Sequence, residues 1–290
     1  MKAPPDLADP AMAHARRMNR VLDHIDRHLA EDLKLEQLAR IAAYSPFHFP
    51  RLLLARTGET PNELVRRRRL EAAGSHLRHA ADESVAEVAA TVGFASVEAF
   101  ARAFKQQFGM TPTEWRKGGY RDWEARQRAL IPEKEAPPPA VQLRQEAECE
   151  LLYWRHTGPY DGALVELWRR FLPWVEALGL DKQPLLGMGL DDPSITPAAH
   201  CRYDACVVLP KGWQGAATRC SRRTLRGGWF ACLDFKGSRQ DIGAEWNRIL
   251  RHWLPGSGFT LADCPFIEYY SPEHRPIDDD HVQLRVPVES

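Results

Sequence analysis

The N-terminal half of the chain repeats one arrangement of apolar and polar positions. An apolar stripe at helical spacing is followed by a break of about three residues and then by a second stripe. The first copy spans residues 35–57 and the second spans residues 85–108, with Ser45 and Ser96 at the N-cap position of each second stripe. Two helices joined by so short a turn form a helix-turn-helix, whose second helix enters the major groove of DNA. The pattern therefore predicts two tandem helix-turn-helix units.

The second helix of each unit is expected to present a set of outward-facing side chains. Arg51 and Arg102 occupy equivalent positions, and arginine is the usual bidentate partner of guanine. Ser45 and Ser96 stand where helix N-termini meet phosphate, although capping alone explains both serines equally well. Lys105 is a candidate for contact with the DNA backbone. The predicted DNA-contacting residues are Ser45, Phe47, His48, Arg51, Ser96, Val97, Glu98, Arg102 and Lys105.

The segment between the units predicts one long helix, from Pro61 to about Arg78. Its Leu64 and Leu70 are expected to pack inward. Its run Arg66–Arg69 is expected to be solvated or close to phosphate.

Two residues set the first unit apart from the second. Pro50 falls at the fifth position of a helix expected to start at Pro46, where it would remove one helical hydrogen bond. Ala43 stands in the turn where the second unit has Gly93, and a positive φ there would be strained. We therefore expect the first unit to contribute less to DNA binding than the second.

After a polar, Pro-rich linker at residues 132–140 the periodicity changes. Short alternating runs, such as residues 150–155, are mixed with two Trp-rich amphipathic stretches, which predicts an α+β domain. An internal repeat with an offset of about 79 residues places Gly158 over Gly237 and Gly189 over Glu268. The second domain is therefore expected to contain two copies of one supersecondary unit.

Residues 266–270 carry the most informative chemistry of this half. In a strand, Phe266, Glu268 and Tyr270 share one face. A carboxylate between aromatic rings suits a flat cationic ligand through charge and cation–π attraction. A strand glutamate that faces solvent is the simpler alternative. No second titratable group is fixed near Glu268 by spacing, so the pattern does not predict a catalytic pair.

Composition narrows the class of protein. The 290 residues are 44% hydrophobic and 27% charged, with a formal net charge of zero, which is typical of a soluble protein with two domains. Neither an apolar run of the roughly 20 residues that cross a bilayer nor a signal peptide is found, so we expect a cytoplasmic protein without a membrane partner. The six cysteines are expected to be buried thiols. The alternative, a zinc site at His200, Cys201 and Cys206, matches no structural zinc spacing.

Motifs in the first half resemble a known family of regulators. They are Gly93-Phe94-x-Ser96, Phe100-x-Arg102-x-Phe104-Lys105 and Phe108-Gly109-x-Thr111-Pro112. They look like the DNA-binding domain of AraC/XylS-family regulators, and the resemblance covers residues 13–118. It implies two recognition helices that enter successive major grooves on one face of the duplex.

Motifs in the second half resemble the gyrase-inhibitor-like, or GyrI-like, effector-binding domain over residues 141–290. They are His156-Thr157-Gly158-Pro159-Tyr160, Gly187-x-Gly189-x-Asp191-Asp192-Pro193, Arg202-Tyr203-Asp204 and Phe266-x-Glu268-x-Tyr270. The resemblance implies two strand-helix-strand-strand repeats with a ligand pocket at their junction.

That resemblance places Glu268 in the pocket, opposite Gly189, as the group that engages a cationic ligand. Tyr160 and Tyr270 are then the candidates for the pocket wall, with Trp168 and Trp213 behind them. Plain core packing is the alternative for each of these four aromatic residues.

The leading hypothesis is a transcription regulator similar to Rob-type proteins. An all-α domain at 13–118 binds double-stranded DNA, a helix and linker follow at 119–140, and an α+β domain at 141–290 binds a small cationic or aromatic effector. RNA polymerase is a further candidate partner, and no cofactor is expected. The alternatives, also from resemblance, are a hydrolase of strained electrophilic compounds that uses Glu268 and a nearby tyrosine, and a module that binds DNA gyrase.

Overall fold

The computed structural model describes residues 10–79, 83–127, 139–193, 195–215, 221–262, 264–277 and 281–289. The chain divides into two compact units. Among the described residues, the helical unit comprises those within 13–127 together with 193 and 195–197, and the sheet unit comprises those within 139–192 and 198–289. Most of the predicted linker at 132–140 lies outside the described residues, as does Cys220.

The helical unit contains the predicted tandem arrangement. Its helices are α1 (Pro10–Arg27), α2 (Leu35–Ala42), α3 (Phe49–Thr57), α4 (Pro61–His79), α5 (Val85–Thr91), α6 (Val97–Phe108), α7 (Pro112–Glu114) and α8 (Tyr120–Gln127). A π-helical turn, Trp115–Gly119, joins α7 to α8. The pairs α2–α3 and α5–α6 are the two helix-turn-helix units, and α4 is the predicted connecting helix. No described helix is long and apolar enough to cross a membrane.

Each helix-turn-helix unit has its own apolar core. In the first unit, Phe49 and Leu53 of α3 are fully buried against α1 and α2. In the second unit, Phe100, Phe104 and Phe108 of α6 form a column of rings that meets Trp115. These large apolar side chains of α3 and α6 therefore face the core of each unit.

The turn of the first helix-turn-helix differs from that of the second. Ala43 adopts a left-handed conformation with φ 53°, where an L-residue is strained. Its counterpart Gly93, with φ 83°, adopts a similar conformation without that strain. The expected penalty at Ala43 is thus present.

The prediction about Pro50 was wrong. Regular α3 begins at Phe49, so Pro50 occupies the second helical position, where an amide N–H has no helical partner to lose. Residues 46–48 form a turn instead, and the Ser45 hydroxyl accepts a hydrogen bond from the His48 amide at 3.3 Å.

The prediction for the arginine run was also wrong for Arg67, Arg68 and Arg69, which are buried or partly buried and bond inside the helical unit. Arg66 is exposed, as predicted, and donates to Gln106 of α6. Arg67 is 9% exposed and pairs with Glu59 and Glu71 at 2.7 and 2.9 Å. Arg68 pairs with Glu71 and with Asp26 of α1. The reason is that consecutive residues of a helix point about 100° apart, so a run of four cannot all face solvent on a packed helix. The charges of Arg67 and Arg68 are therefore paired with acidic side chains inside the helical unit.

Arg69 and Gly93 bring the two helix-turn-helix units together. The Arg69 guanidinium donates to the carbonyl oxygens of Leu29 and Glu31, both at 2.8 Å. A Cβ placed on Gly93 would lie 2.5 Å from that same Leu29 oxygen and 3.0 Å from the Arg69 guanidinium carbon. The turn of the second helix-turn-helix therefore packs directly on the segment that leads into the first.

The sheet unit contains a nine-stranded antiparallel sheet with its helices against one face. The strands are β1 (Gln142–Glu146), β2 (Cys149–Thr157), β3 (Leu185–Gly189), β4 (Arg202–Val208), β5 (Ser221–Leu225), β6 (Gly228–Lys236), β7 (Thr260–Leu261), β8 (Phe266–Tyr270) and β9 (His281–Glu289). Their order is β1-β6-β9-β8-β3-β4-β2-β5, with β7 on β9. The helices are α9 (Gly162–Ala177), α10 (Ile242–Arg248) and α11 (Leu254–Ser257), with a π-helical turn, Ile249–Trp253, between the last two.

This topology confirms the predicted repeat. The segments β2-α9-β3-β4 and β6-α10-β8-β9 each run strand, helix, strand, strand, and they meet where β3 pairs with β8. Trp168, Tyr203 and Tyr270 belong to the core on the helix side of the sheet, whereas Tyr153 and Ile267 belong to a second core on the other side.

The contact at Gly93 is testable by substitution. We expect Gly93→Ala to lower the free energy of unfolding of the helical unit by about 2–4 kcal/mol, through left-handed backbone strain and overpacking. Gly109→Ala is the matched control: Gly109 has φ 75°, but no atom lies within 4 Å of the position that a Cβ would take there. It should cost only about 1 kcal/mol. Urea unfolding followed by the helical circular dichroism signal measures both, and equal losses would contradict the packing.

Candidate functional site

All nine predicted DNA-contacting side chains are exposed on the helical unit. Two of these side chains are apolar, Phe47 and Val97, which are 85% and 38% exposed. Arg51 on α3 and Arg102 on α6 are exposed at equivalent positions, and Lys105 is exposed one turn beyond Arg102. The turn before α3, the start of α3 and the outer face of α6 thus present a mixed apolar and basic surface.

The two serines differ in what they do locally. Ser96 caps α6, because its hydroxyl accepts from the Ala99 amide at 3.2 Å. Ser45 lies before a turn, and α3 itself has no side-chain cap. The start of α6 is therefore better fixed than that of α3.

In the sheet unit, Glu268 accepts hydrogen bonds from two tyrosines. Tyr203 on β4 donates to Glu268 Oε2 at 2.7 Å, and Tyr270 on β8 donates to the same oxygen at 2.9 Å. Trp168 of α9 donates from its indole N–H to the Tyr203 hydroxyl at 3.3 Å. Glu268 is partly buried on the helix side of the sheet. Glu268 and Tyr270 lie on the same face of β8, as predicted. That face is the one covered by the helices.

Both tyrosines are held in the protonated, donating form. Burial, followed by the charge of Glu268, raises the pKa of Tyr203 well above its usual value. Burial and the same charge also raise the pKa of Tyr270 well above its usual value, although Arg239 opposes this. Two neutral phenols therefore donate hydrogen bonds to one oxygen of Glu268.

Room for this cluster comes from a glycine on β3, but not the one expected. Gly187 is the cross-strand partner of Glu268, and a Cβ there would lie 1.9 Å from the Tyr203 hydroxyl and 2.8 Å from Glu268 Oε2. Gly189, which was expected opposite Glu268, pairs with Phe266 instead. The repeat shows that Gly189 and Glu268 hold equivalent positions in their own strands. Which residues face each other across β3 and β8 is set by the register of the two strands.

Tyr160 lies beside this cluster. Its ring meets Tyr203 edge to face with centroids 5.9 Å apart, and it packs near Gly189. Its hydroxyl donates to the Arg202 carbonyl oxygen. Burial, and then the charge of Asp191, raises the pKa of Tyr160 well above its usual value. The structure therefore brings Tyr160, Trp168, Glu268 and Tyr270 together.

Trp213 is in a different place. It follows β4 and lines a depression with Glu148, Glu150 and Arg222 among others. None of the other four predicted effector residues belongs to the described lining of that depression.

Two residues of the cluster are not identified as site residues by the sequence pattern. Tyr203 enters only as part of a motif, and Arg239 belongs to none of the motifs. Arg239 donates to the Tyr270 hydroxyl at 3.0 Å. Tyr203 contacts Glu268 and Arg239 contacts Tyr270, both across a long separation in sequence, and periodicity does not predict such contacts.

Metal chemistry has no support in the described residues. No group of three or more His, Cys, Asp or Glu side chains there could hold a metal ion. Cys201 and Cys206 are buried, and burial raises the pKa of Cys206 well above its usual value.

Comparison with known families decides the identity. A model described as a helix-turn-helix domain matches residues 38–118, and a model of the GyrI-like small molecule binding domain matches residues 139–289, more than half of the chain. The chain belongs to the GyrI-like family and carries an AraC-type DNA-binding domain. Both expected resemblances are thereby confirmed.

Curated relatives of this AraC-type, GyrI-like protein are regulators by name. It is 35% identical to the regulatory protein PocR of Salmonella typhimurium over 104 residues, 36% of this chain and about a third (34%) of PocR. It is 29% identical to the regulatory protein SoxS of the same organism over 105 residues, 36% of this chain and 97% of SoxS. It is 28% identical to YosT of Bacillus subtilis, a putative transcriptional regulator, over 151 residues, 51% of this chain and 99% of YosT.

Proposed function

We propose that this protein regulates transcription by binding a specific duplex DNA sequence with α3 and α6, and that its GyrI-like domain binds a small aromatic effector through Glu268. The observation that carries the proposal is that one chain contains both the exposed side chains of α3 and α6 and a partly buried carboxylate, Glu268, that accepts hydrogen bonds from two tyrosines.

The DNA-binding step rests on the surface of α3 and α6. Exposed arginines at equivalent positions suit bidentate contacts to guanine, and exposed Phe47 and Val97 suit contact with thymine methyl groups. Because α6 has a capped start and an unstrained turn at Gly93, it makes the larger contribution.

The effector-binding step rests on the charge of Glu268. A carboxylate on the helix side of the sheet, surrounded by the rings of Tyr160, Trp168, Tyr203 and Tyr270, offers a cation both charge and aromatic faces. Both tyrosine hydroxyls that touch Glu268 are donors rather than bases. The arrangement therefore favours binding over turnover.

Substitution of the two arginines tests the DNA-binding step. With a duplex enriched from a random library and fluorescence anisotropy, we expect Arg102→Ala to weaken binding about 10–100-fold, which corresponds to about 1–3 kcal/mol for a bidentate base contact. Arg51→Ala should cost less. Arg56→Ala, an exposed arginine in the last turn of α3, is the control and should change little. Equal losses for Arg51 and Arg102 would contradict the unequal division, and no loss for either would contradict the surface.

Substitution of Glu268 tests the effector-binding step. Tetraphenylphosphonium serves as an aromatic cation and tetraphenylborate as its anionic counterpart of the same shape. We expect Glu268→Gln to weaken tetraphenylphosphonium binding about tenfold or more in calorimetry, because the attracting charge is lost. The exposed Glu166→Gln of α9 is the control. Unchanged affinity in Glu268→Gln would contradict the role of Glu268, and breakdown of the probe seen by mass spectrometry would favour an enzyme.

A further inference from the structure

Arg239 is connected to the effector site without having been assigned to it. It lies in a short 3-10 turn, Arg239–Asp241, that leads into α10. Its guanidinium donates to the Tyr270 hydroxyl at 3.0 Å and lies 5.8 Å from the centre of the Tyr270 ring. Because Tyr270 in turn donates to Glu268 at 2.9 Å, one phenol separates a fixed positive charge from the site carboxylate.

The two repeats treat this position differently. Gly158 and Gly237 follow the first strands of their repeats, β2 and β6, and Tyr160 and Arg239 each stand two residues later. Tyr160 lies near Gly189, at one end of the β3–β8 pair, whereas Arg239 contacts Tyr270, at the other end. One end of the site is therefore bordered by a neutral phenol and the other by a guanidinium.

We propose that Arg239 determines the charge preference of the effector site. It offsets the charge of Glu268 through Tyr270, so a simple monocation binds more weakly than the carboxylate alone would allow. The effector that fits is an aromatic molecule with two polar ends. Its cationic or donor group faces Glu268 from the Tyr160 end, and its acceptor or anionic group faces Arg239. This inference rests on the proposed role of Glu268.

The test is calorimetry of the full chain with tetraphenylphosphonium and tetraphenylborate, in sodium buffer. Because the two ions share a shape and differ in charge sign, loss of structure moves both affinities in the same direction. Loss of the Arg239 charge moves them in opposite directions. We expect Arg239→Gln to tighten tetraphenylphosphonium binding on the order of tenfold and to weaken tetraphenylborate binding by a similar factor.

Two further variants make the result specific. Arg239→Lys keeps the charge and should retain the wild-type ratio of the two affinities to within about threefold. Arg169→Gln removes an arginine of α9 whose side chain is 64% exposed and should leave the ratio unchanged.

The outcomes separate this inference from the proposed function. Glu268→Gln weakening the cation while Arg239→Gln leaves the ratio unchanged would overturn the role of Arg239 alone. Both affinities changing in the same direction in Arg239→Gln would also overturn it. If neither probe binds the wild type or Arg239→Gln, the inference is overturned as well. If tetraphenylphosphonium binds Arg239→Gln but not the wild type, the inference is supported.

Discussion

Polar contacts of α4 link it to the rest of the helical unit, and its apolar residues belong to both apolar cores of that unit. Arg67 lies between Glu59 and Glu71, Arg68 reaches Asp26 on α1, and Arg69 donates to two backbone carbonyls in the segment that leads into the first helix-turn-helix. A buried charge is costly unless it is paired, and removing one partner of such a pair typically costs about 3–5 kcal/mol. These contacts come from consecutive residues of one helix, so they fix the rotation of α4 about its axis. Because α3 and α6 each contact α4, their positions depend on that rotation.

Most of the helical unit follows from local pattern. Period-3.6 stripes locate α2, α4, α5 and α6, and a serine in front of a stripe locates the cap of α6. The predicted start of α3 was wrong because Ser45-Pro46 opens a turn that only later becomes regular helix. The inward pairing of the arginine run escapes prediction for a different reason. Glu71 follows Arg67 and Arg68 at i+4 and i+3 on the same helix, so spacing alone would place it nearby. The other acidic partners, Asp26 and Glu59, lie outside α4, and their proximity is decided by packing rather than by sequence spacing.

In the sheet unit, too, features set by neighbouring residues are predictable from the sequence, whereas contacts between distant segments are not. Period-2 alternation is sufficient to place Glu268 and Tyr270 on one face, and the repeat is sufficient to predict two strand-helix-strand-strand units. Register between strands is not encoded locally, and so Gly187, rather than Gly189, makes room for the carboxylate. Arg239 lies in a loop, where no periodicity constrains it. The polar network around Glu268 is thus a property of the assembled sheet.

If α4 holds the two recognition helices as one body, the DNA site must have a fixed geometry. Selection of duplexes from a random library by the full chain, followed by sequencing, measures that geometry directly. We expect an enriched site with two sub-sites whose centres are separated by one fixed spacing of about 10 base pairs, one turn of the duplex. Enrichment of two sub-sites at variable spacing would contradict the role of α4.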